Sequence, residues 1–424
     1  MKPKLQRIAI QLTNIELWIV SLFVAGSLLT RHLFPWTLIV FLFFGVMRWI
    51  AYGFPTVPTP VDSSILLLII ILPISFWVTA FPKSTYIQAA RLLIGILFFY
   101  TLVNWITTRQ RLWLVIVGVI LAGAGLSLFA LISVEWQTEK LYFLPSVIYE
   151  RFSILVSDTS HSNVMGGNVA LLVPFGPILL LFAWQKIKIW EKVFYGFSTL
   201  FMISILILTQ SRGALIGLIT SIPFLIALRW KKGWIVFPSL SVIMGLILWR
   251  YGLTQILNWA SANVKIGGVE GRIEIWSRGL AIIRDFPFTG SGMGSFTEVT
   301  DLLYPFVSFE NWKVPHAHNL FLQIAVDVGI PGLIAWISVL SIIILSAWQI
   351  YHHGYLTKDN WARGLGAAIL SSQVILLVHG IVDDITWGVR PEPILWALWG
   401  ITIAAGRVFS VTKADFIAQT ENNV

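Results

Sequence analysis

The residues best suited to chemistry in this 424-residue sequence are His318 and Asn319. Nine residues separate this pair from a Gly-Ile-Pro-Gly turn containing Gly329 and Gly332, and an apolar segment long enough to cross a bilayer follows the turn. The spacing predicts a histidine at a membrane surface, at the start of a short interfacial helix. It fits a catalytic role for His318 and substrate-binding roles for His316 and Asn319, but it also fits a histidine that only bonds a backbone carbonyl.

Arginines form the second group of candidates. Arg212 lies between two apolar segments with almost no loop, so we expect it at the ends of two packed helices. An ionised side chain there is costly unless it has a partner or a function. Arg151 and Arg272 lie in two long segments between spans, and pairing of Arg151 with a nearby acidic residue is the competing interpretation for that position.

Acidic residues give no convincing metal site. Asp383 and Asp384 follow His379 at the end of an apolar segment. Adjacent carboxylates on a helix point about 100° apart and are poor at binding one ion, so we expect a structural or positioning role. The chain has no cysteine, which excludes disulfides and thiolate ligands. We therefore predict a site without a metal or other cofactor.

Together these residue types predict chemistry on a diphosphate. One guanidinium group can bind two phosphate oxygens at once, and its charge can neutralise a leaving group without a metal ion. A neutral imidazole at the interface accepts the proton of an incoming hydroxyl. Sugar transfer from a polyprenyl-diphosphate carrier requires both functions at this depth in the membrane.

The elements that must position these residues are membrane spans. The chain is 57% hydrophobic and 12% charged, and many of its 21 tryptophans end apolar runs, as expected at membrane surfaces. With about 20 apolar residues per span we predict roughly twelve spans, centred near residues 22, 41, 72, 95, 122, 174, 200, 220, 242, 340, 372 and 402. The fold class is thus an all-α polytopic membrane protein, with one integral membrane domain over residues 1–424.

Basic residues in the short loops predict the topology. The net charge of +9 is concentrated on one side of the twelve spans, Arg48 included, which is typical of a cytoplasmic face and not of nucleic-acid binding. Both termini are therefore predicted to be cytoplasmic. Two long segments, residues 134–163 and 250–330, are predicted to lie on the outer side.

The larger outer segment contains a predicted amphipathic helix over residues 271–287, ended by Pro287. Its predicted apolar face consists of Ile273, Trp276, Leu280 and Ile283. A glycine-rich run at 289–296 follows. Without a preceding strand in a βαβ unit it does not match a dinucleotide-binding loop, so we interpret it as a tight turn.

Four motifs, in this order, resemble the O-antigen ligase and O-antigen polymerase superfamily of the bacterial envelope. The strongest is His-Asn, nine residues, Gly-x-x-Gly at 318–332; the others are Thr-x-Ser-Arg-Gly at 209–213, the run 272–296, and the weaker run 162–168 before a span. Leu333, after the second glycine, departs from the residue that ligases more often carry. The resemblance therefore leaves ligase and polymerase both open.

The resemblance implies a GT-C-like transferase of the bacterial inner membrane that needs no metal. It would move a glycan from an undecaprenyl-diphosphate carrier to a hydroxyl of a glycan or lipid acceptor at the periplasmic face. By matching positions, His318 would be the base or acceptor-activating residue, and Arg212 and Arg151 would hold the donor diphosphate. Arg272 matches the loop motif. Neither the sugar nor the acceptor is implied.

Three other interpretations remain open from the sequence. An anion transporter of the bicarbonate type would use Arg91, the main ionisable residue within a predicted span. A glycosyltransferase with a catalytic carboxylate in its first outer loop conflicts with the sequence Arg31-His32-Leu33, which has no acidic residue. An inert partner of a polysaccharide machine would tolerate loss of His318 and Arg212.

Overall fold

The computed structural model describes residues 3–136, 144–156, 159–185, 187–252, 255, 269–307 and 313–421. The described chain is built almost entirely of α-helices. They are α1 Pro3–Leu29, α2 Phe34–Tyr52, α3 Asp62–Val78, α4 Pro82–Trp105, α5 Arg109–Ser133, α6 Ser162–Leu172, α7 Phe175–Ala183, α8 Ile189–Leu208, α9 Arg212–Arg229, α10 Val236–Tyr251, α11 Val269–Asp285, α12 Phe296–Leu303, α13 Leu320–Leu356, α14 Asn360–Gly380 and α15 Glu392–Glu421. Two-residue strands, β1 Val134–Glu135 and β2 Ser160–His161, pair in parallel. Short 3-10 helices are Arg31–Leu33, Ser146–Arg151 and Gly233–Ile235.

Eleven of the twelve predicted span centres lie in one of these helices, and the centre near residue 174 lies between α6 and α7, which together form one candidate span. Within the described residues, ten helical segments are long and apolar enough to cross a membrane. The two centres outside those ten, near residues 72 and 402, lie in α3, an apolar helix of 17 residues, and in α15. The predicted fold class, an all-α polytopic membrane protein, is confirmed.

Polar side chains start several of the long helices. Thr108 caps α5, Ser211 caps α9, Asn319 caps α13 and Asp359 caps α14, each accepting a hydrogen bond from a backbone N–H of the first turn. Such caps satisfy N–H groups that have no partner within the helix. Ser211 and Asn319 thereby fix where α9 and α13 begin, next to Arg212 and His318.

The core lies where α4, α9, α13, α14 and α15 pack together. Trp336 of α13 and Trp396 and Trp399 of α15 are fully buried, and the Trp336 and Trp399 ring centroids are 5.5 Å apart. Gly95 of α4 is required here because an added Cβ would lie 2.4 Å from Cδ1 of Trp396. The aromatic core fixes the ends of α13, α14 and α15 relative to one another.

One basic residue used to predict the topology has a different role. Arg48 lies within α2 and is buried, and its guanidinium forms an ion pair with Glu16 of α1 at 2.5 Å. Glu16 was not considered as its partner in the sequence because the two residues are far apart in the chain. Arg48 is therefore an interhelix contact and not a loop charge.

Helix α13 has the predicted corner between an interfacial helix and a span. Gly329 has φ 72° and ψ 178°, which divides the helix into two segments. An added Cβ at Gly329 would lie 2.6 Å from the Phe288 carbonyl carbon, and the Ile330 N–H donates to the Pro287 carbonyl at 2.8 Å. Only glycine fits this positive φ and close approach. The corner fastens the span to the outer segment.

The helix predicted in the outer segment corresponds to α11, and of its predicted apolar face Trp276 and Ile283 pack against the protein. Ile275 and Ile282 are buried, whereas Ile273 and Leu280 are 59% and 61% exposed. Gly279 lies against Leu322 of α13, where an added Cβ would be 2.8 Å from Leu322 Cδ2. This close contact places the side of α11 that carries Ile275, Gly279 and Ile282 against the protein.

Candidate active site at one end of the helix bundle

Residues 381–388, which connect α14 to α15 without a helix or strand, are the centre of the candidate site; we call them the hub segment. Its backbone carbonyls accept hydrogen bonds from four surrounding elements. Asn319 Nδ2 donates to Ile381 at 2.9 Å, Asn168 Nδ2 to Ile385 at 2.6 Å and Arg91 to Gly388 at 2.6 Å, and the Arg272 guanidinium donates to Val382. The start of α13 and helices α4, α6 and α11 therefore meet at this segment.

His318 and Asp383 form the central pair of the site. His318 Nδ1 lies 2.9 Å from Asp383 Oδ1, although the residues are 65 positions apart. The His318 side chain is 24% exposed and the Asp383 side chain 3%. His318 has a positive φ of 47°, uncommon for a residue other than glycine, and immediately precedes the Asn319 cap. The backbone is thus bent specifically where it presents the imidazole to the hub segment.

The charge on Asp383 determines which nitrogen of His318 carries the proton. Burial raises the pKa of Asp383, but the charge and hydrogen bond of His318, followed by His316 and His379, outweigh burial and hold that pKa well below its usual range. An ionised carboxylate only accepts hydrogen bonds. Nδ1 of His318 must therefore be the donor, and in the neutral ring Nε2 carries the lone pair.

His316 lies beside this pair as a neutral ring. Its Nδ1 accepts a hydrogen bond from the His318 backbone N–H at 3.2 Å and lies 3.7 Å from Asp383 Oδ1. The two imidazole centroids are 4.3 Å apart. Burial, reinforced by His318, lowers the pKa of His316 to about 3. The predicted substrate-binding candidates His316 and Asn319 both flank His318 in the structure.

Arg272 and Arg212 approach the hub segment from two helices. Arg272 of α11 donates to the Val382 carbonyl, and its burial lowers the pKa of the guanidinium while the Asp383 carboxylate counteracts that effect. Arg212 is the first residue of α9, and Gly213 next to it lies against His379 and Val382. An added Cβ at Gly213 would be 2.5 Å from His379 Cδ2. The structure therefore brings the start of α9 to the same place as Arg272.

Arg151 lies apart from this group. It ends the 3-10 helix Ser146–Arg151 and is exposed, and none of the contacts between described residues joins it to the hub segment. Tyr149, two residues earlier, donates to the Leu208 carbonyl at 2.9 Å and accepts from Gln210 Nε2 at 2.9 Å. The loop that carries Arg151 is therefore attached to the turn just before Arg212.

The two adjacent carboxylates of the hub segment differ in environment. Asp384 is buried, accepts the Trp387 N–H at 3.1 Å and has a pKa raised well above its usual range, chiefly by burial. Asp383 instead contacts His318. Sequence reasoning gave both residues one positioning role, and only the long-range contact separates them. In the sequence, a functional role for Asp383 was indicated only by the run of polar residues at the end of an apolar span, because buried charges within a membrane often have a function.

Other polar groups near the site are used to build it. Asp327 of the predicted Asn319, Gln323 and Asp327 stripe accepts Trp387 Nε1 at 2.9 Å, Gln323 Nε2 at 3.0 Å and the Gly294 N–H at 3.2 Å. Within the glycine-rich run, Met293 N–H donates to Ser75 Oγ at 2.8 Å. These N–H groups bond protein atoms, so the run is a structural turn, as predicted. Arg91, the residue suggested for anion transport, likewise holds a hub carbonyl.

Three side chains of the site are close enough to share a metal ion. The potential ligand atoms of His316, His318 and Asp383 all lie within 4.8 Å of one another. This grouping is hidden in the sequence because Asp383 lies 65 positions from His318 in the chain. Two imidazoles and one carboxylate are ligand types that suit transition metals.

The fold and the site together define an integral membrane protein with a histidine–carboxylate pair and two arginines at one end of its helix bundle. Residues 197–337 match the family model described as O-Antigen ligase. The matched residues run from α8 into α13 and include Arg212, Arg272 and His318. This match confirms the resemblance to the O-antigen ligase and O-antigen polymerase superfamily. No curated protein matches the chain.

The match and the fold support a general function. The match supports O-antigen ligase or polymerase-type glycan transfer in general terms, and with the apolar helices it indicates a multi-pass inner-membrane protein. A lipid-linked glycan and an acceptor within the membrane are the substrates that this family implies. Asp383 lies outside the matched residues, so its place in the site comes from the structure alone.

Proposed function

We propose that the protein transfers a glycan from an undecaprenyl-diphosphate carrier to an acceptor hydroxyl at the periplasmic membrane face, without a metal ion. The observation that carries this proposal is the 2.9 Å contact between His318 Nδ1 and the buried Asp383 carboxylate. This contact orients a lone pair on Nε2 of a histidine that is still partly exposed. Such a nitrogen can remove a proton from a hydroxyl group that enters the site.

In the proposed reaction, His318 Nε2 accepts the proton of the acceptor hydroxyl. The acceptor oxygen forms a bond to the anomeric carbon as the bond from that carbon to the diphosphate oxygen breaks, with inversion of configuration. The electron pair of the broken bond leaves with undecaprenyl diphosphate. Asp383 holds the ring in the required tautomer and stabilises the imidazolium that forms, as an aspartate does in Ser-His-Asp hydrolases.

Arg272 and Arg212 are proposed to bind the donor diphosphate. Each approaches the hub segment from a helix that also carries a family motif. Negative charge grows on the diphosphate as the glycosidic bond breaks, and nearby guanidinium groups stabilise it without a metal ion. Arg151 is a weaker candidate for the same role because it is exposed and lies apart from the other two. His316 and Asn319 are proposed to bind the acceptor beside His318.

The proposed topology has both termini in the cytoplasm and the site end of the bundle in the periplasm. Positive charges in the short loops support this orientation. The site then lies at the membrane surface where a lipid-linked donor presents its diphosphate. Helices α11 and α12 of the outer segment would cover that surface.

The test uses purified full-length protein, an undecaprenyl-diphosphate-linked oligosaccharide and a set of candidate acceptors, in EDTA, with release of undecaprenyl diphosphate as the readout. We expect release by the wild type and a loss of about 10²–10⁴-fold in His318→Ala, as for removal of a general base. His352→Ala is the matched control, because His352 is exposed at the opposite end of the same helix. Equal rates in wild type and His318→Ala would contradict the assignment of the base.

A further inference from the structure

The three potential ligand atoms of the site are spaced as they would be around one ion. His318 Nδ1 and Asp383 Oδ1 are 2.9 Å apart, His316 Nδ1 and Asp383 Oδ1 are 3.7 Å apart, and all three atoms lie within 4.8 Å of one another. Two ligands of a tetrahedral zinc ion, each at about 2.0–2.2 Å, are roughly 3.3 Å apart. Small side-chain rotations would therefore bring all three atoms to ligand distance.

The types of ligand select the class of metal. Two imidazole nitrogens and one carboxylate oxygen are typical of zinc and neighbouring transition metals, whereas magnesium and calcium prefer oxygen ligands. Three protein ligands also leave a coordination position open for water or substrate. Among the described residues, the histidine and acidic side chains that lie close enough together to share a metal ion are His316, His318 and Asp383.

Surrounding hydrogen bonds hold the ligands in place. Asn163 Nδ2 donates to Asp383 Oδ2 at 2.8 Å, so that Oδ1 remains directed at the two histidines. Nδ1 of His316 accepts a hydrogen bond from the His318 backbone N–H, so it carries a lone pair, and that lone pair would exchange the N–H for the ion. Such outer contacts strengthen metal sites, while the positive Arg272 beside Asp383 weakens this one. The exposed part of His318 gives access to the ion.

We propose that His316, His318 and Asp383 bind one zinc-class dication, and that the bound ion inhibits glycan transfer. The inhibition rests on the proposed function of His318. A metal on Nδ1 replaces the proton that this nitrogen donates to Asp383, and that proton is then carried by Nε2. The ring keeps one proton and stays neutral, but it no longer has a lone pair with which to accept the proton of a hydroxyl.

Binding is tested first, and independently of transfer. Cobalt(II) is titrated into the purified full-length protein, prepared without a histidine tag, and the visible absorption of the coordinated ion is recorded. We expect a band that saturates at one equivalent, with affinity reduced at least about tenfold in His316→Ala and in Asp383→Asn. His32→Ala and His352→Ala, at histidines outside the group, should leave the titration unchanged. A wild type without this band, or an unchanged band in His316→Ala, would overturn the site.

Inhibition is tested with zinc in the transfer assay. We expect the wild-type rate to fall as zinc occupies the site, over the range in which zinc displaces cobalt, and to return on addition of EDTA. Full transfer activity at saturating zinc would refute the inhibitory role. If the wild type transfers no glycan but binds cobalt through His316, the metal site stands and the proposed function, with the inhibition that depends on it, is wrong.

Discussion

The substitution Asp383→Asn tests the central contact of the site with the smallest change of shape. Asp383 Oδ1 faces His318 Nδ1 at 2.9 Å and Oδ2 accepts from Asn163 Nδ2 at 2.8 Å. An amide has one oxygen and one NH₂ group. In Asp383→Asn the NH₂ group must therefore face either His318 Nδ1 or Asn163 Nδ2, both of which donate a hydrogen bond to Asp383 in the wild type. If the NH₂ faces His318, the ring reverses its tautomer and Nε2 carries a proton. If the NH₂ faces Asn163, the charge that stabilises the imidazolium is still lost.

The expected effect is a fall in kcat of about 10²–10⁴-fold, equivalent to roughly 3–5 kcal/mol at 1.36 kcal/mol per factor of ten. The large effect follows from burial, because a carboxylate that is 3% exposed is little screened by water. The change in KM for the lipid-linked donor should be smaller than the change in kcat, because Asp383 hydrogen-bonds the proposed base His318 and acts on the proposed diphosphate ligand Arg272 through its charge.

The assay measures initial rates of undecaprenyl diphosphate release over a range of donor concentrations for the wild type, Asp383→Asn and Asp384→Asn. Asp384 is an adjacent buried carboxyl that accepts the Trp387 N–H, and an amide oxygen at the same position can accept the same hydrogen bond. We expect the rate of Asp384→Asn to stay within about tenfold of the wild type. If Asp383→Asn melts like the wild type and retains its kcat while His318→Ala is inactive, the tautomer argument is refuted.

Three further predictions concern the arginine, the second histidine and the corner of α13. Arg272→Gln should lower kcat/KM for the donor by about 10²–10³-fold. Arg284→Gln is the control, because the Arg284 side chain is 79% exposed on the same helix. Equal effects of the two substitutions would exclude a specific role for Arg272. The pKa of His316 is lowered to about 3 in the folded protein, whereas a histidine in the unfolded chain has a pKa of about 6.5. As the pH falls below about 6.5, the unfolded chain therefore binds a proton that the folded protein does not bind. The free energy of unfolding consequently decreases between about pH 6.5 and pH 3. His316→Gln should therefore lose about 2 kcal/mol less than the wild type between pH 7.5 and 5, seen as a smaller fall in Tm, and parallel melting curves would contradict this. Gly329→Ala should destabilise the protein by about 2–4 kcal/mol through its positive φ and its contact with Phe288; Gly45→Ala, in a helix with open space around the position, should melt like the wild type or higher.

Composition and spacing decided the elements of this protein. Runs of about 20 apolar residues can only be stable in a bilayer as helices, because every backbone polar group must be bonded within its own segment. Eleven of the twelve predicted span centres accordingly lie in a helix, and the Gly-Ile-Pro-Gly sequence correctly predicted the corner in α13. Glycine and proline act on their immediate neighbours, so their effects can be deduced locally. The family resemblance was also local, since it depends on four short ordered motifs, three of which the O-Antigen ligase match includes.

The tertiary structure decided which residues meet. Packing of Gly279 on Leu322 determined that Ile275 and Ile282 are the buried residues of α11, which the hydrophobic spacing did not indicate. The contact of His318 with Asp383 spans 65 residues, and the sequence placed Asp383 and Asp384 in the same class. Only the folded chain made one of them an ionised partner of the histidine and the other a buried hydrogen-bond acceptor with a raised pKa. The reason is physical: a carboxyl group's charge depends on burial and on neighbours that other helices supply, and neither is encoded in its own surrounding sequence.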